Sequence, residues 1–151
     1  MRTISDKVHQ PVIRVATQND AEIIAVLAGQ LGYPGTPDQA RDRLMLLSSS
    51  ERDVVMVAEQ EGAVVGWIHV GIRDTLEAAQ YAEILGLVVD ERFRSRGIGG
   101  HLVRCGEEWA LEHGQKRIRV RSNLLRGQTH RFYERLEYAE TKRQVVLDKS
   151  L

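Results

Sequence analysis

This 151-residue sequence lacks the features that mark disulfide-stabilised, membrane-spanning and nucleic-acid-binding proteins. Its single cysteine, Cys105, excludes an intramolecular disulfide and a cysteine-based metal site. Its longest apolar runs, Val54–Ala58 and Ile84–Val89, are far too short to cross a membrane. The formal net charge is zero, which argues against general nucleic-acid binding. We therefore expect a globular protein whose partners include neither a membrane nor a nucleic acid.

Signals for export, metal binding and two common phosphate motifs are also missing. Residues 1–10 carry charges and no apolar stretch before a cleavage site, so we expect a cytoplasmic protein with a flexible N-terminal segment. No Gly-Lys-Ser/Thr of a P-loop occurs, and Leu102 stands where a dinucleotide fingerprint needs its third glycine. Four histidines show no metal-ligand spacing, so no metal is predicted: His69, His101, His113 and His130.

The hydrophobic pattern predicts one mixed α/β (α+β) domain over residues 1–151, with the order β-α-α-β-β-β-α-β-α-β. We expect a mixed central sheet of six to seven strands flanked by about four helices. The predicted strands are Val12–Thr17, Val54–Glu59, Ala63–Gly71, Tyr81–Val89, Arg117–Ser122 and Tyr138–Leu147. The predicted helices are Ala21–Leu31, Thr36–Leu47, Gly97–His113 and Thr129–Leu136.

The most informative segment is the arginine-rich turn within residues 87–100, where an apolar strand ends and glycines begin a long helix. Backbone N–H groups in the first turn of a helix have no partner within it, and the helix dipole places partial positive charge there. Gly97, Gly99 and Gly100 carry no side chain that would keep a phosphate from those groups. Arg94 and Arg96 add charge-assisted donors. The segment therefore predicts a pyrophosphate-binding cradle.

The same turn resembles the signature of the GNAT acetyltransferase superfamily. Arg94-Ser95-Arg96-Gly97-Ile98-Gly99 is similar to the Arg/Gln-x-x-Gly-x-Gly/Ala motif of that family. Residues 130–138 resemble its C-terminal Phe-Tyr-x-x-x-Gly-Phe/Tyr element, although Glu137 replaces the usual glycine. The order of elements also matches, and the specific part of the resemblance runs from Glu83 to Tyr138.

The resemblance implies an N-acetyltransferase that binds acetyl-CoA and transfers its acetyl group directly to a primary amine. Backbone groups of Leu87, Val88 and Val89 would hold the pantetheine arm. The pyrophosphate would be held by Arg94, Ser95, Arg96, Gly97, Ile98, Gly99 and Gly100. Asn123, at the end of the fifth strand, is a further candidate at the cofactor. Two alternatives stay open, a non-catalytic acyl-CoA-binding or sensor module and a transferase for another acyl-CoA.

Acetyl transfer to an amine needs a base for the ammonium and an acid for the departing thiolate. Glu83 is the candidate base, because a carboxylate in an apolar strand is costly to bury unless it is used or paired. By strand alternation it shares a face with Leu85, Leu87 and Val89. Two alternatives are that Glu83 lies in solvent or pairs with an arginine.

Tyr133 is the candidate acid, since the resemblance places it near the thioester sulfur and its usual pKa of ~10 keeps it protonated at neutral pH. The alternative is simple core packing beside Phe132. Tyr33, in the break between the first two helices, is a candidate for the acceptor site, and His69 is either there or on an edge-strand surface. Cys105 is expected in the core. Pairing through the final strand or exposed helices would make a homodimer.

Overall fold

The computed structural model describes residues 10–124 and 126–151. Most of the N-terminal segment predicted to be flexible, residues 1–9, lies outside the described part. The chain divides into two compact units, residues 1–121 and residues 122–151. The expectation of a single domain stays a prediction.

The first unit contains a five-stranded sheet and three helices among its described residues. The strands are β1 Val12–Val15, β2 Asp53–Gln60, β3 Ala63–Arg73, β4 Tyr81–Val89 and β5 Ile118–Val120. The helices are α1 Ala21–Gln30, α2 Pro37–Ser48 and α3 Ile98–Glu112. Thr36 caps α2 by accepting a hydrogen bond from the backbone N–H of Gln39, and Pro37 at the first helical position fixes the backbone for the turn.

The strands follow one another across the sheet in the order β1-β2-β3-β4-β5. The first four are joined as antiparallel neighbours, and β5 runs parallel to β4. A parallel pair needs a long crossover connection, which α3 supplies here. The sheet is therefore mixed, as predicted, but it has five strands rather than six to seven.

Alternate residues of β3 face opposite layers of helices. Ile68 and Val70 are fully buried and lie against Gly106 of α3, where an added β-carbon would come within 3.0 Å of Val70 Cγ2. Trp67 and His69 point to the other face, which is covered by α1 and α2. Within the described part of the chain, no helix is both long and apolar enough to span a bilayer.

The second unit contains α4, Gly127–Arg135, followed by a turn at Glu137. Glu137 adopts a left-handed conformation with φ of 70°, which explains why glycine is the usual residue of the family motif at this position. The predicted strand Tyr138–Leu147 is wrong, because residues 138–147 have no regular secondary structure. Its apolar residues Val145, Val146 and Leu147 are exposed, and no strand among the described residues pairs with them.

Candidate active site

Strands β4 and β5 pair only at one end and then separate. Their parallel register covers Ala82–Ile84 of β4 and Ile118–Val120 of β5. Residues 86–89 of β4 remain paired with β3 but have no β5 partner in the described structure. The fifth strand, predicted as Arg117–Ser122, is shorter than expected, because only residues 118–120 lie close enough to β4 to pair with it. The side of β4 that faces β5 therefore opens at Leu85–Val89.

A β-bulge marks the point where β4 changes its pairing. His69 and Val70 are adjacent on β3, but their partners, Gly86 and Ile84, are separated by Leu85. Because the bulge adds one residue to β4, each side chain after Leu85 points to the opposite face of the sheet from the one that regular alternation predicts. Because Glu83 pairs with Gly71, it shares a face with Gly86 and not with Leu87. The prediction that Glu83 shares a face with Leu87 and Val89 is therefore wrong.

The arginine-rich turn places its residues at the N-terminus of α3 as predicted. Gly97 is the N-cap, with a left-handed φ of 81°, and no side chain caps the helix. Ser95 is also left-handed, at φ 63°, and alternation of this kind turns successive N–H groups toward one side as an anion-binding nest. The first turn of α3 holds no acidic residue. The free N–H groups of this turn and the open space in front of Gly97 both fit a pyrophosphate.

The buried carboxylate in this turn, Asp90, is paired with a neighbouring arginine. Buried Asp90 accepts hydrogen bonds from the backbone and side chain of Arg92, with the Arg92 Nη2 to Asp90 Oδ2 distance at 2.9 Å. These hydrogen bonds hold the pKa of Asp90 below its usual value. Arg94 Nε donates to the carbonyl of Val89 at 3.1 Å, and the guanidinium of Arg96 lies 5.1 Å from the Phe93 ring centre.

Glu83 is buried and paired with two arginines. Its side chain is only about 6% exposed, with Arg121 Nη1 donating to Oε1 and Arg73 Nε to Oε2 at 3.5 Å. Pairing with an arginine is one of the alternatives that the sequence left open. The arginine side chains themselves are 44% and 52% exposed. The carboxylate is thus fixed on β4, while its partners have access to solvent.

Two candidate residues, Tyr133 and Asn123, belong to the second unit. Tyr133 is 7% exposed and makes edge-to-face contacts with Phe132 and Tyr138, with ring centres 5.0 and 5.4 Å apart. Burial raises the pKa of Tyr133 from its usual value near 10 to about 12, so its hydroxyl keeps its proton at neutral pH. Asn123 follows β5, and its carbonyl accepts hydrogen bonds from the backbone of Arg126 and from His130 Nε2 at 2.9 Å.

A cavity of about 360 Å³ lies between β3–β4 and the helices α1 and α2. Leu85 and Gly86 of β4 form part of its wall, so the cavity reaches the strand where β5 has separated. Tyr33 lines this cavity, and its role in an acceptor site stays a prediction. His69 also lines it and is held by Asp53, with Nε2 and Oδ1 2.8 Å apart. The alternative of an edge-strand surface is wrong for His69, because β3 is a central strand.

Sequence reasoning missed three residues of this cavity. Trp67 forms a cavity wall, but a tryptophan in an apolar strand gives no signal that distinguishes it from a core residue. Arg43 and Gly86 gave no signal at all, since an arginine on an amphipathic helix and a glycine in a strand have many ordinary explanations. Only the assembly of β3, β4 and α2 brings these residues around one space.

A sequence profile of the Acetyltransferase (GNAT) family matches residues 16–138, which include the open end of β4, the turn at Gly97 and α4. The chain belongs to the GNAT acetyltransferase family. It is an acyltransferase, and the resemblance inferred from the two motifs is confirmed.

Two curated relatives match nearly the whole of this GNAT chain. The aminoglycoside N(6')-acetyltransferase type 1 of Serratia marcescens is 26% identical over 145 residues, covering 93% of this chain and 99% of the relative. The aminoalkylphosphonate N-acetyltransferase of Salmonella typhimurium strain LT2 is 29% identical over 147 residues, covering 93% of each protein.

Solved structures share the fold at lower identity. An aminoglycoside acetyltransferase, AAC(6')-Iy, in complex with the bisubstrate analogue CoA-S-monomethyl-acetylneamine superposes with a TM-score of 0.84 at 21% identity, covering 95% of this chain and 100% of that one. A transcriptional regulator from Bacillus halodurans C-125 superposes with a TM-score of 0.82 at 23% identity, covering 92% and 99%. At these low identities, the comparison shows that the proteins share a fold and nothing more.

Proposed function

We propose that this GNAT protein transfers the acetyl group of acetyl-CoA directly to the primary amine of a small molecule. The observation that carries the proposal is the position of the open end of β4. The anion cradle of α3 follows its C-terminal end, and the cavity reaches its Leu85 and Gly86. A cofactor bound along this strand and an acceptor in the cavity would meet at β4.

Acetyl-CoA would supply an activated acyl group as a thioester, and this chain would supply its binding and orientation. Arg94, Arg96 and the N–H groups of residues 95–100 hold the pyrophosphate. Backbone groups of Leu87, Val88 and Val89 hold the pantetheine arm, because β4 has no β5 partner there. An N–H on this part of β4 also polarises the thioester carbonyl.

The acceptor must lose a proton before it attacks. An alkylamine with a pKa of ~10.4 costs roughly 4.6 kcal/mol to deprotonate at pH 7, at about 1.36 kcal/mol per unit. Glu83 takes this proton, directly or through water. Its carboxylate shares a sheet face with Gly86, which lines the cavity. The exposed Arg73 and Arg121 side chains have room to move away when an ammonium approaches.

Tyr133 donates the proton that the departing thiolate needs. In the balanced step the amine nitrogen forms a bond to the acetyl carbon and the carbon–sulfur bond breaks. The acceptor ammonium gives up two protons, one to Glu83 and one that replaces the proton given by Tyr133. The net reaction converts an ammonium and a thioester into an amide, a thiol and one released proton.

The names of the relatives support a small-molecule acceptor. One relative is named for aminoglycosides and the other for aminoalkylphosphonates, and both of these acceptor classes are small amines. A cavity of about 360 Å³ lies within the range of small-molecule sites. A small amine therefore fits the proposal better than a folded protein does.

Thermal unfolding with acetyl-CoA, followed by a thiol-release assay with a panel of amines, tests the proposal. Ligand at about 100 times its dissociation constant adds about 2.7 kcal/mol, a rise of several degrees in the midpoint. A rise together with amine-dependent thiol release supports the enzyme. A rise without thiol release from any amine indicates an acyl-CoA sensor instead. No rise at millimolar acetyl-CoA contradicts cofactor binding and thus the whole proposal.

A further inference from the structure

The walls of the cavity are mostly apolar. Ile24, Leu31 and Leu47 come from the helices, and Trp67 and Leu85 come from the sheet. A dry cavity of about 150 Å³ holds a benzene ring, so about 360 Å³ accommodates one ring with substituents at both ends. Contact with such walls stabilises an apolar ligand and disfavours a hydroxyl-rich one, whose polar groups would lose water without gaining partners.

The charged groups at the cavity are of one sign. No aspartate or glutamate occurs among its lining residues. The nearby carboxylate of Asp53 is already engaged, since it accepts hydrogen bonds from Ser50 Oγ at 2.9 Å and lies 2.8 Å from His69 Nε2. Arg43 lines the cavity from α2 and forms no ion pair or hydrogen bond with the residues described. A polycation would meet an unpaired cation there and no carboxylate.

Trp67 contributes its aromatic ring to the cavity wall. Its Nε1 has almost no accessible surface, so a ligand in the cavity meets the ring and not this N–H. Arg43 is therefore the lining group that calls for an anionic partner on a ligand.

We infer that the acceptor is a small primary amine with an apolar, ring-sized body and one anionic group, bound with its anionic end at Arg43. The inference rests on the proposed function and names the class of its acceptor. The amine end of such a molecule points toward Leu85 and Gly86 on β4, and its anionic oxygen atoms accept hydrogen bonds from the guanidinium of Arg43. Polycationic aminosugars are excluded from this class by charge and by the apolar walls.

Acceptor kinetics with matched probes test the inference. The probes are para-aminomethylbenzoate, para-aminomethylphenylphosphonate, the uncharged para-aminomethylbenzamide and the polycation tobramycin. We expect kcat/KM for one or both anionic probes to exceed that for the benzamide by about tenfold, the effect of one charge-assisted hydrogen bond. The carboxylate and phosphonate arms identify the anion. A larger kcat/KM for tobramycin, or no preference over the benzamide, overturns the inference.

Two arginines on the same helix supply the variant and its control. Arg43→Ala should raise KM for the anionic probes about tenfold and should raise KM for the benzamide much less, so that the anionic preference is lost. Arg41→Ala should change neither, because Arg41 pairs with Asp38 and does not line the cavity. Equal losses for charged and uncharged probes in Arg43→Ala would contradict a contact with the anion.

A binding measurement separates failure of this inference from failure of the proposed function. In a Trp109→Phe background, Trp67 is the remaining tryptophan, and its fluorescence reports occupancy of the cavity without any turnover. We expect saturable quenching by the benzoate or phosphonate, weakened about tenfold by Arg43→Ala. If these probes bind but no amine releases thiol, the proposed function fails and the ligand class stands. If tobramycin binds and the anionic probes do not, the ligand class fails.

Discussion

The α-carbon of Gly86 on β4 lies directly against the indole of Trp67 on β3. A β-carbon at position 86 would come within 2.7 Å of Cζ3 and 2.9 Å of the neighbouring ring atom Cη2. Contacts this short do not occur between real side chains, so the ring can lie here only because residue 86 is glycine. The pair forms the sheet wall of the cavity next to the bulge at Leu85.

Gly86→Ala should displace Trp67 and thereby damage both stability and acceptor binding. We expect a loss of about 1–3 kcal/mol in the free energy of unfolding from overpacking, and a raised KM for the acceptor. Denaturant unfolding and acceptor kinetics measure the two effects. Gly29→Ala on α1 is the control, since an added methyl there meets nothing within 4 Å and should stabilise the helix by about 0.5–1 kcal/mol. An unchanged unfolding midpoint for Gly86→Ala would show that the ring relaxes freely.

Gly97 and Gly62 provide a matched pair for testing the anion cradle. Both have left-handed backbones, with φ of 81° and 80°, and both have open space around an added β-carbon. Alanine at either site should cost about 1–2 kcal/mol in conformational strain. Only Gly97→Ala should also reduce the stabilisation by acetyl-CoA, because Gly62 lies in the β2–β3 turn. Thermal unfolding with and without acetyl-CoA measures both, and equal ligand shifts in the two variants would contradict the cradle.

Tyr133→Phe should lower kcat by about a hundredfold, the usual contribution of a positioned acid. Tyr138→Phe is the control and should keep its activity, since it alters a neighbouring ring of the same unit. Thiol release at saturating substrates measures both variants. Unchanged turnover in Tyr133→Phe would remove Tyr133 from the proposed mechanism.

The raised pKa of Tyr133 also predicts a pH dependence of stability. The folded pKa is about 12 against 10 in the unfolded chain, so the stabilisation is complete below pH 10 and is lost as the pH rises toward 12. Two units correspond to about 3 kcal/mol. The native protein should lose about this much more than Tyr133→Phe does between pH 10 and 12, as measured by denaturant unfolding. If the native protein and Tyr133→Phe lost the same free energy of unfolding between pH 10 and 12, the hydroxyl of Tyr133 would not be buried in solution.

Glu83→Gln should separate a role in proton transfer from a role in pairing. If Glu83 is the base, Glu83→Gln should lower kcat by about a hundredfold, the usual contribution of a positioned base. Arg121→Gln breaks the pairing but keeps the carboxylate, so most of kcat should survive in that variant. Thiol release and denaturant unfolding measure both variants, and a Glu83→Gln enzyme that loses stability but keeps kcat would assign Glu83 to structure alone.

Asp20 should stabilise the start of α1 through Arg14. Arg14 Nη1 and Nη2 each donate to a carboxylate oxygen of Asp20 at 2.8 Å, and these hydrogen bonds hold the pKa of Asp20 below its usual 3.8. The contribution is therefore present above about pH 4 and is lost as the pH falls further. Asp20→Asn should cost about 1–3 kcal/mol at pH 7, measured by denaturant unfolding, and less in acid. Asp38→Asn, in an exposed pair with Arg41, should cost almost nothing.

Local sequence signals predicted most elements correctly. The boundaries of β4 agree residue for residue, because an apolar run between polar turns fits a buried strand. Helix α3 begins one residue after the predicted start, at the glycines that also define the cradle. Helix α4 begins at Gly127, two residues before the predicted start at Thr129.

The errors share one physical cause, which is pairing with distant parts of the chain. Val145, Val146 and Leu147 have strand-like composition, but a strand forms only where another strand satisfies its backbone groups. The bulge at Leu85 depends on the register with β3 and leaves no trace in the alternation of β4. The pairing of Glu83 with Arg73 and Arg121 likewise joins residues that are 10 and 38 positions apart.

By itself, the sequence determined the family and the arginine-rich turn at the start of α3, because glycines and arginines at fixed spacing act through backbone conformation and charge within a few residues. Tertiary structure alone decided the cavity between the sheet and the helices α1 and α2. Arg43, Trp67 and Gly86 belong to three elements, and only the packing of α1 and α2 on one face of the sheet places a cation, an aromatic ring and a missing side chain around one space. The chemistry of that space is a property of the assembled sheet and helices, since no short segment contains it.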